Sequence, residues 1–296
     1  MSLSGLVPVL ATPFSPDGSL DLPGLRRLTA FQVASGATGV ALFGMASEGF
    51  ALTADDRARV LAAVRETVAG AVPIVAGVAA TGTPTALEQA RAAAEGGADA
   101  LMVLPPFMVK PTPSQLVDFY GDLGEVGPEV MVQDAPGATG VAMPESLIVE
   151  LSKPHGVGSV KVEAPPTAPK VAAVVRGVDP DFAVFGGQNA LFVLEEYAGG
   201  AVGTMPACEF TDVIAPILAD WTAGRRADAH AAFARLLPLI RFGMRQGYAW
   251  AVHKKVLVRR GLIASAAVRA PARPLDAGTL AGLDEVLAVL DLPAAP

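Results

Sequence analysis

Several chemistry-bearing residue types are scarce in this chain. Cys208 is the only cysteine, so no intrachain disulfide and no cysteine-based zinc site can form, and such usage suits a reducing compartment. The three histidines, His155, His230 and His253, fall in an expected loop and two late helices. They offer neither the histidine cluster of a metal-dependent aldolase or hydrolase nor a Ser-His-Asp or Cys-His set for acyl transfer. No metal site and no cofactor are therefore expected. Long apolar runs are missing as well, because no stretch of about 18 residues runs without a charge, proline or glycine. The mean hydropathy of +0.45 comes instead from short bursts of Ala, Val and Leu, and no membrane association is expected. Basic excess is also absent: 22 Lys and Arg stand against 29 Asp and Glu, for a net charge of -7. That balance leaves no electrostatic footprint for nucleic acid or anionic lipid, and a small molecule becomes the expected partner. Met1 to Thr12 carries no basic region and has Pro8 inside its apolar run, so the expected location is the cytoplasm.

Hydrophobic residues make up 52% of the 296 positions, ample for a sizeable core. Short apolar bursts alternate with amphipathic stretches up to about residue 205, the rhythm of βα units and a parallel sheet. The expected strands are Leu6 to Leu10, Gly39 to Phe43, Val72 to Ala76, Ala100 to Leu104, Val130 to Gln133, Ser159 to Glu163, Phe182 to Phe185 and Ala201 to Met205. Eight such strands close a barrel. Thr53 to Val68 reads as one of the intervening helices, with Thr53 as its N-cap and Asp55 and Asp56 in the first turn. Proline near the first helical position recurs at Thr83-Pro84, Thr112-Pro113 and Met143-Pro144. After residue 205 the pattern turns helical, over Ile214 to Trp221, Arg226 to Gln246, Trp250 to Arg260 and Thr279 to Leu290. The expected fold is an α/β (β/α)8 TIM barrel spanning 1–205, with a C-terminal helical appendix over 206–296 packed on it. An open doubly wound sheet is the competitor, but Ala11-Thr12-Pro13-Phe14-Ser15-Pro16 follows the first strand where a glycine-rich dinucleotide turn would be needed.

Barrels of this kind carry their chemistry at the C-terminal ends of the strands. The polar residues expected there are Ser47, Glu48, Gln133, Asp134, Lys161, Glu163, Gln188, Asn189 and Thr204. Lys161 stands out because it interrupts an apolar strand. Burial disfavours the charged form of a lysine, and a neutral amine can condense with a ketone or aldehyde to form an imine. Side chains two apart on a strand share a face, so Glu163 faces wherever Lys161 faces. It could serve as acid or base beside the imine, or simply hold the amine in an ion pair. Gly44 to Gly49 reads as a tight turn whose backbone could approach a carboxylate. Gly186-Gly187-Gln188-Asn189 reads as a turn, and Glu195-Glu196, Lys254-Lys255 and Arg259-Arg260 as solvated helix faces.

The order Gly44 to Glu48 after strand two, Pro105-Pro106-Phe107 after strand four, Pro136 and Gly140 after strand five and Lys161 in strand six resembles the dihydrodipicolinate synthase and N-acetylneuraminate lyase superfamily. The resemblance covers nearly the whole chain. It implies a class I, Schiff-base barrel acting on pyruvate or another 2-oxo acid, assembled as a homo-tetramer or dimer, with Lys161 as the imine former. The synthase's hallmark positions are altered. Met45 and Ala46 stand where that family has paired threonines, Gln133 stands where it has a relay tyrosine, Phe107 replaces a second relay tyrosine and Ala138 replaces a carboxylate-binding arginine. Met131 to Pro136, Ser47 to Phe50 and Lys161 to Pro165 look instead like the 2-keto-3-deoxy-L-arabonate dehydratase branch. That likeness implies that Ala46 and Ser47 bind the substrate carboxylate, Thr204 lines the pocket, Gln133 holds a hydroxyl and Glu163 handles the C3 proton. The expected activity is dehydration of a small 2-keto-3-deoxy sugar acid. A pyruvate-dependent aldolase or the synthase reaction is the alternative within the class, and a non-catalytic 2-oxo acid binding barrel is the alternative outside it.

Overall fold

Valine is the commonest residue of the strands, with alanine, leucine and methionine beside it, because a parallel strand covered on both faces must be apolar on both. The computed structural model describes residues 3–290 and 292–294. Its eight parallel strands are β1 (Gly5–Leu6), β2 (Val40–Leu42), β3 (Ile74–Val78), β4 (Ala100–Val103), β5 (Glu129–Asp134), β6 (Val157–Val162), β7 (Ala183–Gly186) and β8 (Gly203–Thr204). Each neighbours the next in sequence from β2 to β8, and β1 pairs with β8. Closure between the β1 segment and β2 rests on the Val9↔Ala41 bridge, with the Leu10 N–H donating to Ala41 O at 2.8 Å and the Ala41 N–H donating to Pro8 O at 2.9 Å.

The two faces of each strand have different destinations. Val7, Val9, Met102, Met131, Phe185 and Met205 fill the lumen, whereas Val130, Val132, Val160, Val162 and Val184 join the layer between strands and helices. All of the expected strands are present in type, but several bounds move. The first shortens to two residues because Pro8 has no N–H for the ladder, and the third begins at Ile74 and runs to Val78. Thr53 caps the helix Ala54–Val68 in a reciprocal capping box with Asp56, and Thr112 caps Pro113–Gly124 in the same way with Gln115.

Beyond β8 the chain is helical, with long segments at Thr211–Thr222, Arg226–Gly243, Ala249–Arg259 and Ala277–Leu290. Arg226–Gly243 stops short of Gln246, and its last residue, Gly243, packs against His253, where an added Cβ would lie 2.9 Å from the imidazole. Phe210, Ile214, Trp221, Phe233, Leu239 and Val252 pack together with Leu6, Val193 and Leu194 from the barrel side. Polar anchors reinforce this seam: Arg260, expected on a solvated face, is 3% exposed and pairs with Asp212 at 2.6 Å while donating to Glu209 O. His253 lies 2.7 Å from the buried Glu209 carboxylate. Among the described residues no helix is long and apolar enough to cross a membrane.

Phe185 is fully buried at the centre of the lumen, and its ring occupies the space that a side chain at Gly203 would need. Replacing it with alanine removes the largest apolar group of that cluster, and the close-packed strands around it cannot collapse to fill the void. Phe185→Ala is expected to cost about 3–5 kcal/mol of stability in urea unfolding.

Candidate active site

Lumenal polar side chains gather at the catalytic end of β5 and β6. Gln133 and Lys161 are direct partners across these strands, and both point inward because Val132, Val160 and Val162 point outward. Lys161 Nζ lies 3.3 Å from Glu163 Oε1, and their side chains are only 5% and 10% exposed. Gln133 Nε2 donates to the other carboxylate oxygen at 2.7 Å. Glu163 is thus held between an amine and an amide, and its side chain passes over Gly187, where any Cβ would collide with Glu163 Cγ. Gln188 Nε2 donates to Glu163 O at 2.6 Å and fixes the same turn from behind. The structure brings together the three residues Lys161, Glu163 and Gln133, and the ion pair is formed.

The turn after β2 caps the lumen. Met45–Ser47 forms a short 3-10 turn, Ala46 packs on the lumenal cluster, and Gly44 faces Met102 and Val9 so closely that a Cβ would be 3.0 Å from the Met102 methyl. Thr12 donates to Ser47 O at 2.7 Å, while the Ser47 hydroxyl is buried with no hydrogen-bond partner among the described residues. A buried hydroxyl left without a partner costs free energy, and a carboxylate oxygen would satisfy it.

Two expected pocket residues turn elsewhere. Thr204 lies between Gly203 and Met205, both of which face Phe185. Strand alternation therefore aims the Thr204 side chain into the layer between strands and helices, where its hydroxyl is buried without a partner among the described residues. It does not line the pocket with its side chain. Asp134 also faces outward, 2.7 Å from Lys170 Nζ. Burial raises its pKa, and Lys170 opposes that rise. Asn189 is spent on structure, accepting from the Ala207 N–H at 2.9 Å.

Sequence reasoning missed the support behind the turn after β2. Lys254, expected on a solvated face, is 1% exposed and forms an ion pair with Glu48. Glu48 sits in the left-handed region at φ 55°, a conformation that costs a non-glycine residue about 1 kcal/mol or more unless its surroundings hold it. They do: its second oxygen accepts the Arg269 N–H at 2.9 Å, and Arg269 itself pairs with Asp56 at 2.6 Å. Phe14 lies between the two cations, 4.0 Å from Lys254 Nζ and 4.3 Å from the Arg269 guanidinium. Burial pulls the Lys254 pKa down to about 8 even against the attraction of Glu48. The signal was the helical period: Lys254 lies three residues from both Ala251 and Leu257, so it shares their buried stripe. Lys255, one position on, is half-buried.

A closed parallel barrel with a lysine and a carboxylate on its inner wall is the architecture of imine-forming class I lyases. Residues 2–289 match the model of the dihydrodipicolinate synthetase family, and the chain belongs to that family. It is 32% identical to L-2-keto-3-deoxyarabonate dehydratase of Azospirillum brasilense, an alignment covering 97% of this chain and 94% of the relative. It is 31% identical to 4-hydroxy-tetrahydrodipicolinate synthase of Methanosphaerula palustris, covering 97% and 99%. Among solved structures, dihydrodipicolinate synthase from Rhodopseudomonas palustris superposes with a TM-score of 0.91 at 28% identity, covering 97% of this chain and 98% of that one. The chain is accordingly a lyase of the class I type, and these relatives divide over the reaction.

Lys254→Met would leave Glu48 as a buried carboxylate without its cation. A loss of about 3–5 kcal/mol in denaturant unfolding is expected, whereas the exposed Arg59, paired with Asp55 at 3.6 Å, should change stability by less than about 1 kcal/mol when replaced with alanine.

Proposed function

We propose that the protein dehydrates a small 2-keto-3-deoxy sugar acid of the 2-keto-3-deoxyarabonate type through an imine on Lys161. One observation carries this reading: Glu163 is clamped between Lys161 and Gln133, so a carboxylate occupies the neighbourhood of the amine where a synthase-like site would present tyrosine. The Lys161 amine attacks the C2 carbonyl and water leaves, giving the protonated imine. That cation acidifies C3, Glu163 takes a C3 proton, and the C4 hydroxyl departs as water. A proton then moves from C5 to C3, the resulting enol ketonises by proton transfer from oxygen to C4, and hydrolysis of the imine restores the amine. Net loss of one water from the five-carbon acid yields 2,5-dioxopentanoate.

The binding roles in this reading are supported by the same geometry. Ser47, with its unpartnered hydroxyl, and the backbone around Ala46 take the substrate carboxylate. Gln133 uses its amide nitrogen on Glu163 and keeps its carbonyl oxygen to accept a substrate hydroxyl. The similarity to an L-2-keto-3-deoxyarabonate dehydratase along almost the full chain supports this substrate class. A pyruvate-dependent aldolase or the synthase reaction is the second reading, favoured by a synthase relative at nearly the same identity. Assembly as a homo-tetramer or dimer belongs to the same proposal.

Incubation with pyruvate or 2-keto-3-deoxyarabonate and borohydride, followed by intact mass, should show one reduced adduct, lost in Lys161→Ala. An unmodified wild-type chain would overturn both catalytic readings in favour of a non-catalytic 2-oxo acid binding barrel. Appearance of 2,5-dioxopentanoate marks the dehydratase, and release of free pyruvate marks an aldolase. Glu163→Gln should still trap the imine yet turn over about 100-fold more slowly or worse. Unchanged turnover would remove Glu163 from proton transfer.

A further inference from the structure

Glu196, expected on a solvated helix face, is fully buried, while its neighbour Glu195 is exposed. It stands on the short helix Val193–Ala198 and reaches back to the end of β7. There Gly186 faces outward, and a Cβ on Gly186 would collide with Glu196 Oε2. Gly186 pairs with Val162 on β6 and with Thr204 on β8, so the carboxyl group enters the strand–helix layer directly behind the catalytic wall. Two buried hydroxyls, of Thr204 and Thr167, share this layer, and among the described residues neither they nor either oxygen of Glu196 completes a hydrogen bond of ordinary geometry. The next residue, Gly187, is the one over which Glu163 passes on the lumenal side. The Gly186-Gly187 pair therefore admits two carboxyl groups to one strand end from opposite faces. Gln188, Asn189 and Ala190 follow with three consecutive positive φ angles, 46°, 55° and 62°, a strained stretch of the kind concentrated at functional sites.

We propose that Glu196 is a positioning residue of the active site, an uncharged carboxyl group behind β7 whose neutrality leaves the negative charge at this strand end on Glu163, opposite Lys161. The charged and polar groups that influence it are Lys161 and Glu163 from β6 and the turn after it, Thr167 from the helix Thr167–Gly177, and Glu195 and Tyr197 from its own helix. Burial, with the negative charges of Glu195 and Glu163 adding to it, raises its pKa to about 7, against the opposing effects of Thr167 and Lys161. Ionisation of Glu196 would put a second negative charge at the strand end where Glu163 holds the Lys161 amine at 3.3 Å.

The catalytic consequence rests on the Lys161 imine reading, but the coupling of the two carboxyl groups does not, and melting measures it without substrate. A carboxyl group whose pKa is raised by folding loses its contribution to stability as pH rises from the unfolded value toward the folded one. Wild type should therefore fall below Glu196→Gln in melting temperature between about pH 5 and 7, with the gap levelling above that on the order of 5 °C. In a Glu163→Gln background the gap should shrink, and equal gaps in both backgrounds overturn the proposal. Should Glu196→Gln not fold, Glu163→Gln alone must shift the wild-type melting loss to lower pH, because removing the neighbouring negative charge lowers the Glu196 pKa if the two groups are coupled; an unshifted profile overturns it. For catalysis, wild-type turnover should decline above about pH 7 while Glu196→Gln holds its rate to about pH 8. Coincident pH profiles would overturn the positioning role. Absence of any imine in wild type would defeat the function reading and leave the carboxyl pair to be decided by melting.

Discussion

An amine on the inner wall of a closed, apolar barrel is the constraint from which most of this structure follows. A charged lysine removed from water needs a partner, and a single carboxylate placed with good geometry is the least that can offset its desolvation. Glu163 meets that need because it lies two residues along the same strand direction. Gln133 occupies the partner position on β5 and binds the carboxylate's other oxygen, so the pair cannot rotate freely. Register thus becomes a chemical matter as well as a structural one. A slip of one residue in β6 would turn Lys161 into the helix layer and bring Val160 and Val162 into the lumen.

The same constraint explains why the helical appendix is more than a cover. The turn that carries Ala46 and Ser47 leaves β2 through Glu48 in a left-handed conformation, and Glu48 is held by Lys254 and Arg269 from the last third of the chain. Phe14, near the other end of the chain, lies between those two cations. A site on the barrel mouth therefore depends on residues separated by more than two hundred positions, through one buried ionic network.

Much of the scaffold was legible. Eight apolar bursts, proline near helix starts and the Thr53 cap are local signals, because each element's propensity and capping depend on residues within a turn of it. Lys161 was legible for a related reason: a lysine inside a run of valines conflicts with its setting, and conflicts of that kind mark function. Glu163 and Gln133 followed from strand alternation and position. The failures share one cause. Glu195-Glu196, Lys254-Lys255 and Arg259-Arg260 were read as pairs, yet in each pair one residue is fully buried and its neighbour is exposed or half-buried. Adjacent residues on a helix point about 100° apart, so which member of a pair is buried depends on where the helix lands. Thr204 failed for the converse reason, since its side depends on the register of a two-residue strand that only the neighbouring strands fix.

Sequence alone determined the class of fold, the scarcity of cysteine and histidine, and the lysine set inside an apolar strand, because these are properties of composition and of local periodicity. Tertiary structure decided which carboxyl groups reach that lysine's neighbourhood and from which side. Glu163 arrives through the lumen and Glu196 through the helix layer, and the two meet at Gly186-Gly187 only because β6, β7 and the helix Val193–Ala198 pack at one end of the barrel. No spacing in the chain encodes that meeting, since it depends on glycines whose missing side chains matter only once something else fills their space.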